Sequence, residues 1–203
     1  MALRVLVVQH AERQRLPGDP GLTDAGHAQA ELAAQRLAAE VTVRSIWSSP
    51  MRRAQETAGH LAAHLGSTVV VDSRLRERMN WTGLEPIEEF LDSWRRASSD
   101  RAHQHRLGDS SLAAAKRFLE VLDDVAAANV EVTVVIVGHG GVTVDALRTL
   151  LGDAELRARA PRLIDDGVPC CAITTLSRHD NAWSVGSIAA TEHLPQAHGH
   201  QPA

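Results

Sequence analysis

The sequence has no tyrosine, a single lysine (Lys116), two cysteines and only 3% aromatic residues. The absence of tyrosine removes one general-acid candidate. Cys170 and Cys171 are adjacent, and neighbours meet disulfide geometry only under strain, so no staple is expected and a reducing compartment fits. No apolar run reaches the roughly 18 residues of a membrane span. The run from Leu3 to Val8 is shorter than a signal-peptide core and has no cleavage-like flank. A cytoplasmic protein with no membrane partner is therefore expected. Excess positive charge is also missing: 21 Lys and Arg stand against 25 Asp and Glu, a net of −4. Even the most Arg-rich stretch, 51–107, balances nine arginines with eight carboxylates. It reads as an ion-paired surface, which argues against a nucleic-acid partner.

What is present is an ordinary globular composition of 203 residues, 44% hydrophobic and 23% charged, enough for one compact domain over 1–203. Leu3 to Val8 reads as a buried strand ending at Gln9-His10. Pro17, Gly18, Pro20 and Gly21 mark a loop over 13–22. Thr23 is the expected cap of a helix over 24–40, with Ala28, Leu32 and Leu37 on its apolar face. Val43 to Trp47 suggests a second strand, Ser48-Ser49-Pro50 a turn, and 51–65 a helix. A short strand is expected over 69–71.

The polar segment 78–109 is expected to form a cap with a short helix over 86–97 carrying Ile87, Phe90, Leu91 and Trp94. A helix over 111–127 follows, capped by Asp109 or Ser110. The β-branched run Val132 to Val137 predicts a central strand leading through Gly138-His139-Gly140-Gly141 into a helix over 142–151. Two late strands, 170–176 and 182–187, flank the turn 178–181. The tail 192–203 is assigned no structure. Alternating strands and helices predict an α/β fold: a three-layer α/β/α sandwich with a largely parallel sheet and a late antiparallel hairpin.

Two histidines, His10 and His139, fall at the carboxyl ends of strands, where α/β proteins place their sites. Arg53 lies one turn into the helix after Ser48-Ser49-Pro50, and Glu77 follows a further strand. Two imidazoles, a guanidinium and a carboxylate at one rim suit phosphoryl transfer: an imidazole can attack phosphorus, a cation can spread charge, and a carboxyl group can protonate the leaving oxygen. Other signals carry less. His60 and His64 have i, i+4 spacing but lack the acid of a zinc-protease motif, and read as a helix-surface pair. His103, His105, His198 and His200 read as solvated. Cys170 and Cys171 have no arginine six residues on, and Gly138-His139-Gly140-Gly141 lacks the third glycine of a dinucleotide fingerprint.

At these positions the chain resembles the histidine phosphatase (phosphoglycerate mutase-like) superfamily, branch 1. The resemblance rests on Gln9-His10-Ala11-Glu12, Leu22-Thr23 with Gly26, Ser48-Ser49-Pro50 with Arg53-Ala54 and Thr57-Ala58, Leu75-Arg76-Glu77, and Gly138-His139-Gly140, all in the family's order. It implies that His10 is the nucleophile that becomes phosphohistidine. His139 and Arg53 would hold the phosphoryl oxygens, and Glu77 would serve as proton donor and then as base for water. Gln9, Arg13, Ser49, Trp81 and Gly140 would line the substrate site, with backbone amides near Ala11 as added donors. Trp81 is the expected pocket wall, and Trp94 the anchor of its own helix. No metal and no cofactor are called for. The expected partner is a small phosphorylated substrate, and a homodimer is left open.

The family's first motif normally begins with arginine, where this chain has Gln9. A neutral donor in place of a charged one costs roughly 1–2 kcal/mol of transition-state stabilisation, about ten- to thirtyfold in rate. Arg13 stands where the phytase-like branch carries a further arginine and could supply part of that charge. The resemblance implies a metal-independent phosphatase. The alternatives are a mutase-like phosphotransferase and a catalytically weak phospho-ligand binder.

Overall fold

The computed structural model describes residues 3–195 except 107, 130 and 181. Asn181 of the expected late turn, and most of the tail with His198 and His200, lie outside the described residues. The strands are β1 (Leu3–Gln9), β2 (Val43–Ser48), β3 (Val69–Val71), β4 (Thr133–Gly138), β5 (Ile173–His179) and β6 (Ala182–Val185). The helices are α1 (Asp24–Glu40), α2 (Arg52–Leu65), α3 (Ile87–Ser99), α4 (Ser111–Ala128), α5 (Gly140–Leu151), α6 (Asp153–Arg159) and α7 (Leu163–Asp166), with one 3-10 turn at Ser73–Leu75.

The six strands form one sheet in the order β3-β2-β4-β1-β5-β6. β1, β2, β3 and β4 run parallel, whereas β5 is antiparallel to β1 and β6 to β5. The fold is thus α/β, with the expected mostly parallel sheet and late hairpin. Alternation along the central strands divides the core. Leu6, Val8, Val135 and Val137 face α1 and α2, while Val5, Val7, Val134 and Ile136 face α4 and α5. Strands apolar on both faces need helices on both sides, which yields the three layers.

Register places the site. Gln9 pairs with Gly138 and Ser48 with Val137, so three strands end at one level. The chain then continues the ladder briefly: His10 N–H donates to the Gly138 carbonyl at 3.1 Å and Ser49 N–H to the Val137 carbonyl at 3.0 Å. His10, Ser49 and His139 therefore leave the sheet side by side.

Three local expectations change, and the open choice of cap for α4 is decided. The buried face of α1 is Gly26, Ala30, Ala33, Ala34 and Leu37, while Ala28 is exposed and Leu32 half-buried. Small side chains at i, i+4, i+7 and i+8 let α1 lie close to its neighbours, so the stripe is mostly alanine, with Leu37 on it as expected. Ser110, not Asp109, caps α4 by accepting the Ala113 N–H, leaving Asp109 to pair with Arg76 and Arg117. α5 begins at Gly140, because Gly140 and Gly141 form its first turn with His139 as N-cap. β5 begins at 173 rather than 170. Cys171 has φ +53°, and the turn it makes closes with Ala172 N–H on the Pro169 carbonyl, while Cys171 N–H meets the His10 carbonyl at 3.3 Å. Thr23 caps α1 as expected, accepting the Gly26 N–H at 3.0 Å.

Candidate active site

His10 is buried at the end of β1. Its Nδ1 lies 2.7 Å from the Ala11 carbonyl oxygen, which can only accept, so Nδ1 carries the proton and Nε2 the lone pair. Arg53 Nε donates to that Nε2 at 3.3 Å. Burial first, and then the Arg53 charge, push the His10 pKa down to about 3, so the imidazole is neutral at ordinary pH. Arg53 is itself buried, and desolvation brings it down to about 10. It stays charged, and its Nη1 has no hydrogen-bond partner.

His139 is fully buried, its ring centroid 5.2 Å from that of His10. Its Nε2 shares a 2.7 Å hydrogen bond with Ser49 Oγ, and Ser49 Oγ also accepts the Met51 N–H at 3.2 Å. Desolvation, followed by the charge of Arg53, holds the His139 pKa well below the usual histidine range. His139 Nδ1 and Gln9 Oε1 are buried without partners, like Arg53 Nη1. The Gln9 amide lies beside Gly140, 3.6 Å from where a Gly140 Cβ would stand. Three orphaned polar atoms, two at neighbouring strand ends and one on α2, would each cost stability in an apolar core. They are what a site built for a polar guest leaves open.

Glu77 reaches the same rim from the other side. Its carboxylate accepts the N–H groups of Arg78 (2.7 Å), Val142 (2.9 Å) and Gly141 (3.0 Å), the last two opening α5. A negative group at a helix N-terminus is stabilised by the exposed amides and the dipole. A Cβ on Gly141 would stand 2.6 Å from Glu77 Oε1 and 2.6 Å from Trp94 Cη2. Gly141→Ala is therefore expected to displace both groups and to lower kcat on a phosphomonoester about ten- to a hundredfold, with Tm changed little by comparison. Unchanged kcat would show that the carboxylate position does not matter.

The structure brings His10, Arg53, His139, Ser49, Gln9 and Gly140 together, and links Glu77 to them through α5. Arg13 stands apart: its guanidinium donates to the carbonyls of Gln14 (3.1 Å) and Leu16 (3.5 Å), although its charge lowers the pKa of both His10 and Arg53. Trp81 donates from Nε1 to the Glu85 carbonyl and accepts the Gly18 N–H on its own carbonyl. The indole lying against Gly141 is that of Trp94, with the Arg78 guanidinium 4.2 Å from its ring. The amides near Ala11 are already engaged, Ala11 N–H on Thr57 Oγ1 and Glu12 N–H on Gln29 Oε1. They are not free donors.

Sequence reasoning missed several supporting residues. Asp19 accepts the Arg52 N–H at the start of α2 and lies 3.7 Å from Arg53 Nη1. Thr57, quoted for the resemblance without a role, lies one turn past Arg53 and donates to its carbonyl at 2.8 Å. Arg117 of α4 holds the carbonyls of Arg76 (2.6 Å) and Glu77 (3.1 Å), fixing the backbone that carries the carboxylate. His60 and His64 both meet Glu31, and His60 also meets His27. Among the described residues, no group of three or more His, Cys, Asp or Glu is arranged to hold a metal ion.

The pattern of the histidine phosphatase superfamily (branch 1) matches residues 7–191, and the chain belongs to that superfamily. It is 30% identical over 211 aligned positions to a probable phosphoglycerate mutase GpmB of Yersinia pestis, covering 95% of each chain. A mycobacterial glucosyl-3-phosphoglycerate phosphatase superposes with a TM-score of 0.77 at 26% identity, over 94% of this chain and 100% of that one. The latter has also been solved with inorganic phosphate. A phosphoserine phosphatase of Entamoeba histolytica, solved with 3-phosphoglyceric acid, shares the fold with a TM-score of 0.75 at 22% identity, over 95% and 100% of the two chains. No helix among the described residues is long and apolar enough to cross a membrane.

Proposed function

We propose that the protein hydrolyses a small phosphomonoester, without a metal, through phosphohistidine at His10. The observation that carries this reading is His10 itself: a neutral ring with Nδ1–H tied to the Ala11 carbonyl and the Nε2 lone pair beside Arg53. In the first step Nε2 forms a bond to phosphorus as the bond to the leaving oxygen breaks. The electron pair departs with that oxygen, and the proton it needs is passed on by the Glu77 carboxylate from the phosphoryl hydroxyl of the substrate. Arg53 moves from the ring nitrogen onto one equatorial oxygen, the unpartnered His139 Nδ1 donates to another, and the unpartnered Gln9 Oε1 accepts from a phosphoryl hydroxyl. In the second step water attacks phosphorus, gives its proton to Glu77, and the N–P bond breaks to return the lone pair to His10. The two unpaired thiols suit a cytoplasmic setting.

The test is incubation with p-nitrophenyl phosphate in the presence of a chelator. Sustained turnover with an acid-labile, base-stable phosphoprotein is expected; turnover that stops with the chelator, or a phosphoprotein of another lability, refutes the reading. A mutase-like second reading is favoured by the phosphoglycerate mutase naming of the relatives. It predicts that the phosphoenzyme returns its phosphoryl group to an added phosphoglycerate faster than to water.

A further inference from the structure

We propose that Gln9 sets the charge state of the accepted substrate: the site takes the singly charged, protonated phosphoryl group in preference to the doubly charged one. The inference rests on the phosphatase reading and concerns what that site selects. Gln9 is the last residue of β1, buried, with its amide beside Gly140 and its Oε1 without a partner. An amide oxygen accepts and never donates. A doubly charged phosphoryl group has only acceptors to offer it, whereas a P–OH group supplies the missing donor.

The fixed charges around the site point the same way. From β1 and the loop after it come His10, Glu12 and Arg13; from α2, Arg53; from the loop before α2, Asp19; from the turn after the 3-10 element, Glu77 and Arg78; from α4, Arg117; from α5, His139 and Asp145; and from the turn before β5, Cys170. Both imidazoles are held neutral, and burial raises the Cys170 thiol away from its charged form. Arg78 is neutralised by Asp145 at 2.9 Å and Arg117 by Asp109 at 2.9 Å. Thr23 Oγ1 donates to Glu12 Oε1, on an exposed segment. That leaves Arg53 and Arg13 against Asp19 and Glu77, and Arg13 is already donating to two loop carbonyls. Such a site offers one buried cation with a free N–H group. The first negative charge of a phosphoryl group is compensated there, and the second is not.

The second proton of a phosphomonoester leaves near pH 6, so the test compares anions across that region. Inorganic phosphate and sulfate are titrated into the wild-type chain at about pH 5.5 and about pH 8.5. Sulfate carries two charges at both values and reports any change in the protein itself, Asp145 included. Wild-type affinity for phosphate is expected to fall at least about tenfold between the two, with sulfate weak and level. Gln9→Arg should level the phosphate profile and tighten sulfate about tenfold. Gln9→Met, which keeps the volume and removes the acceptor, should also level phosphate without tightening sulfate.

A wild-type phosphate affinity that is level or rises with pH overturns the inference, as does a Gln9→Met profile like the wild type. If a phosphoenzyme forms and the phosphate profile is level, only this inference fails. If no phosphoenzyme forms and neither anion binds at either pH, the phosphatase reading fails and takes this one with it.

Discussion

Replacing His10 by alanine is expected to eliminate the phosphoprotein formed with p-nitrophenyl phosphate and to lower kcat/KM by at least about 10⁴-fold, as losing a covalent nucleophile does elsewhere. Among the described residues, the neighbouring candidates are held back. His139 shares its Nε2 with Ser49, and the Cys171 thiol is buried, with desolvation pushing it up to about 12. The same geometry fixes the pH behaviour. With its pKa lowered to about 3, His10 is deprotonated and nucleophilic throughout the range above that value and is lost to protonation only below it. The profile of kcat/KM should therefore show no acid limb near the ordinary histidine value of about 6.5. Any fall should come on the alkaline side, as the substrate loses its second proton. An acid limb near 6.5 that disappears in His10→Ala residual activity would show that the ring is hydrated and that its buried, Arg53-paired geometry does not persist in solution. Retention of the phosphoprotein in His10→Ala would place the nucleophile elsewhere.

His10, His139, Arg53 and Glu77 were legible because each follows a strand that is itself legible. The runs Val5 to Val8 and Val134 to Val137 are apolar at every position, which fits a strand covered on both faces. Their ends then locate the rim. The 3-10 turn and the short helices α6 and α7 carry too few residues for a periodic signal. The starts of α5 and β5 were misread because distant partners set them. Gly141 is helical despite its propensity because Glu77, 64 residues away, accepts its N–H. Cys171 takes a positive φ because its amide closes under His10. Trp94 was assigned to its own helix for the same reason: amphipathicity shows which face of α3 is apolar, and only the packing of α3 shows that this face meets Gly141. Its neighbours Leu91 and Leu84 remain exposed, so the cap segment is held less by apolar burial than by ion pairs and hydrogen bonds.

Asp145→Ala is expected to destabilise the fold by about 3–5 kcal/mol. Asp145 is fully buried on α5, with Arg78 Nη1 at 2.9 Å and Ser111 Oγ donating at 2.6 Å. Arg101 adds to the cluster, from Nε to Ser111 Oγ at 3.0 Å and from Nη2 to the Asp145 carbonyl at 2.9 Å. Removing the carboxylate leaves the Arg78 guanidinium buried over Trp94 with only Ser98 Oγ as partner. Arg78 directly follows Glu77, so the damage should reach the rim as well as the core. Thermal unfolding should show a Tm lower by about 6–20 °C, given roughly 2–4 °C per kcal/mol for a chain of this size. Burial raises the Asp145 pKa to about 6, against about 3.9 in an unfolded chain. The folded state thus holds the extra proton between those values, so wild-type stability falls as pH rises from about 4 to about 6 and levels above it. Asp145→Asn should abolish that slope. Arg78→Met with Asp145→Leu replaces the pair by apolar groups of similar size and should regain most of the stability. It should not regain kcat, because Trp94 loses the cation that seats it beside Gly141. A double variant no more stable than Asp145→Ala would show that the loss comes from the missing side-chain volume on α5 and not from an unpaired charge.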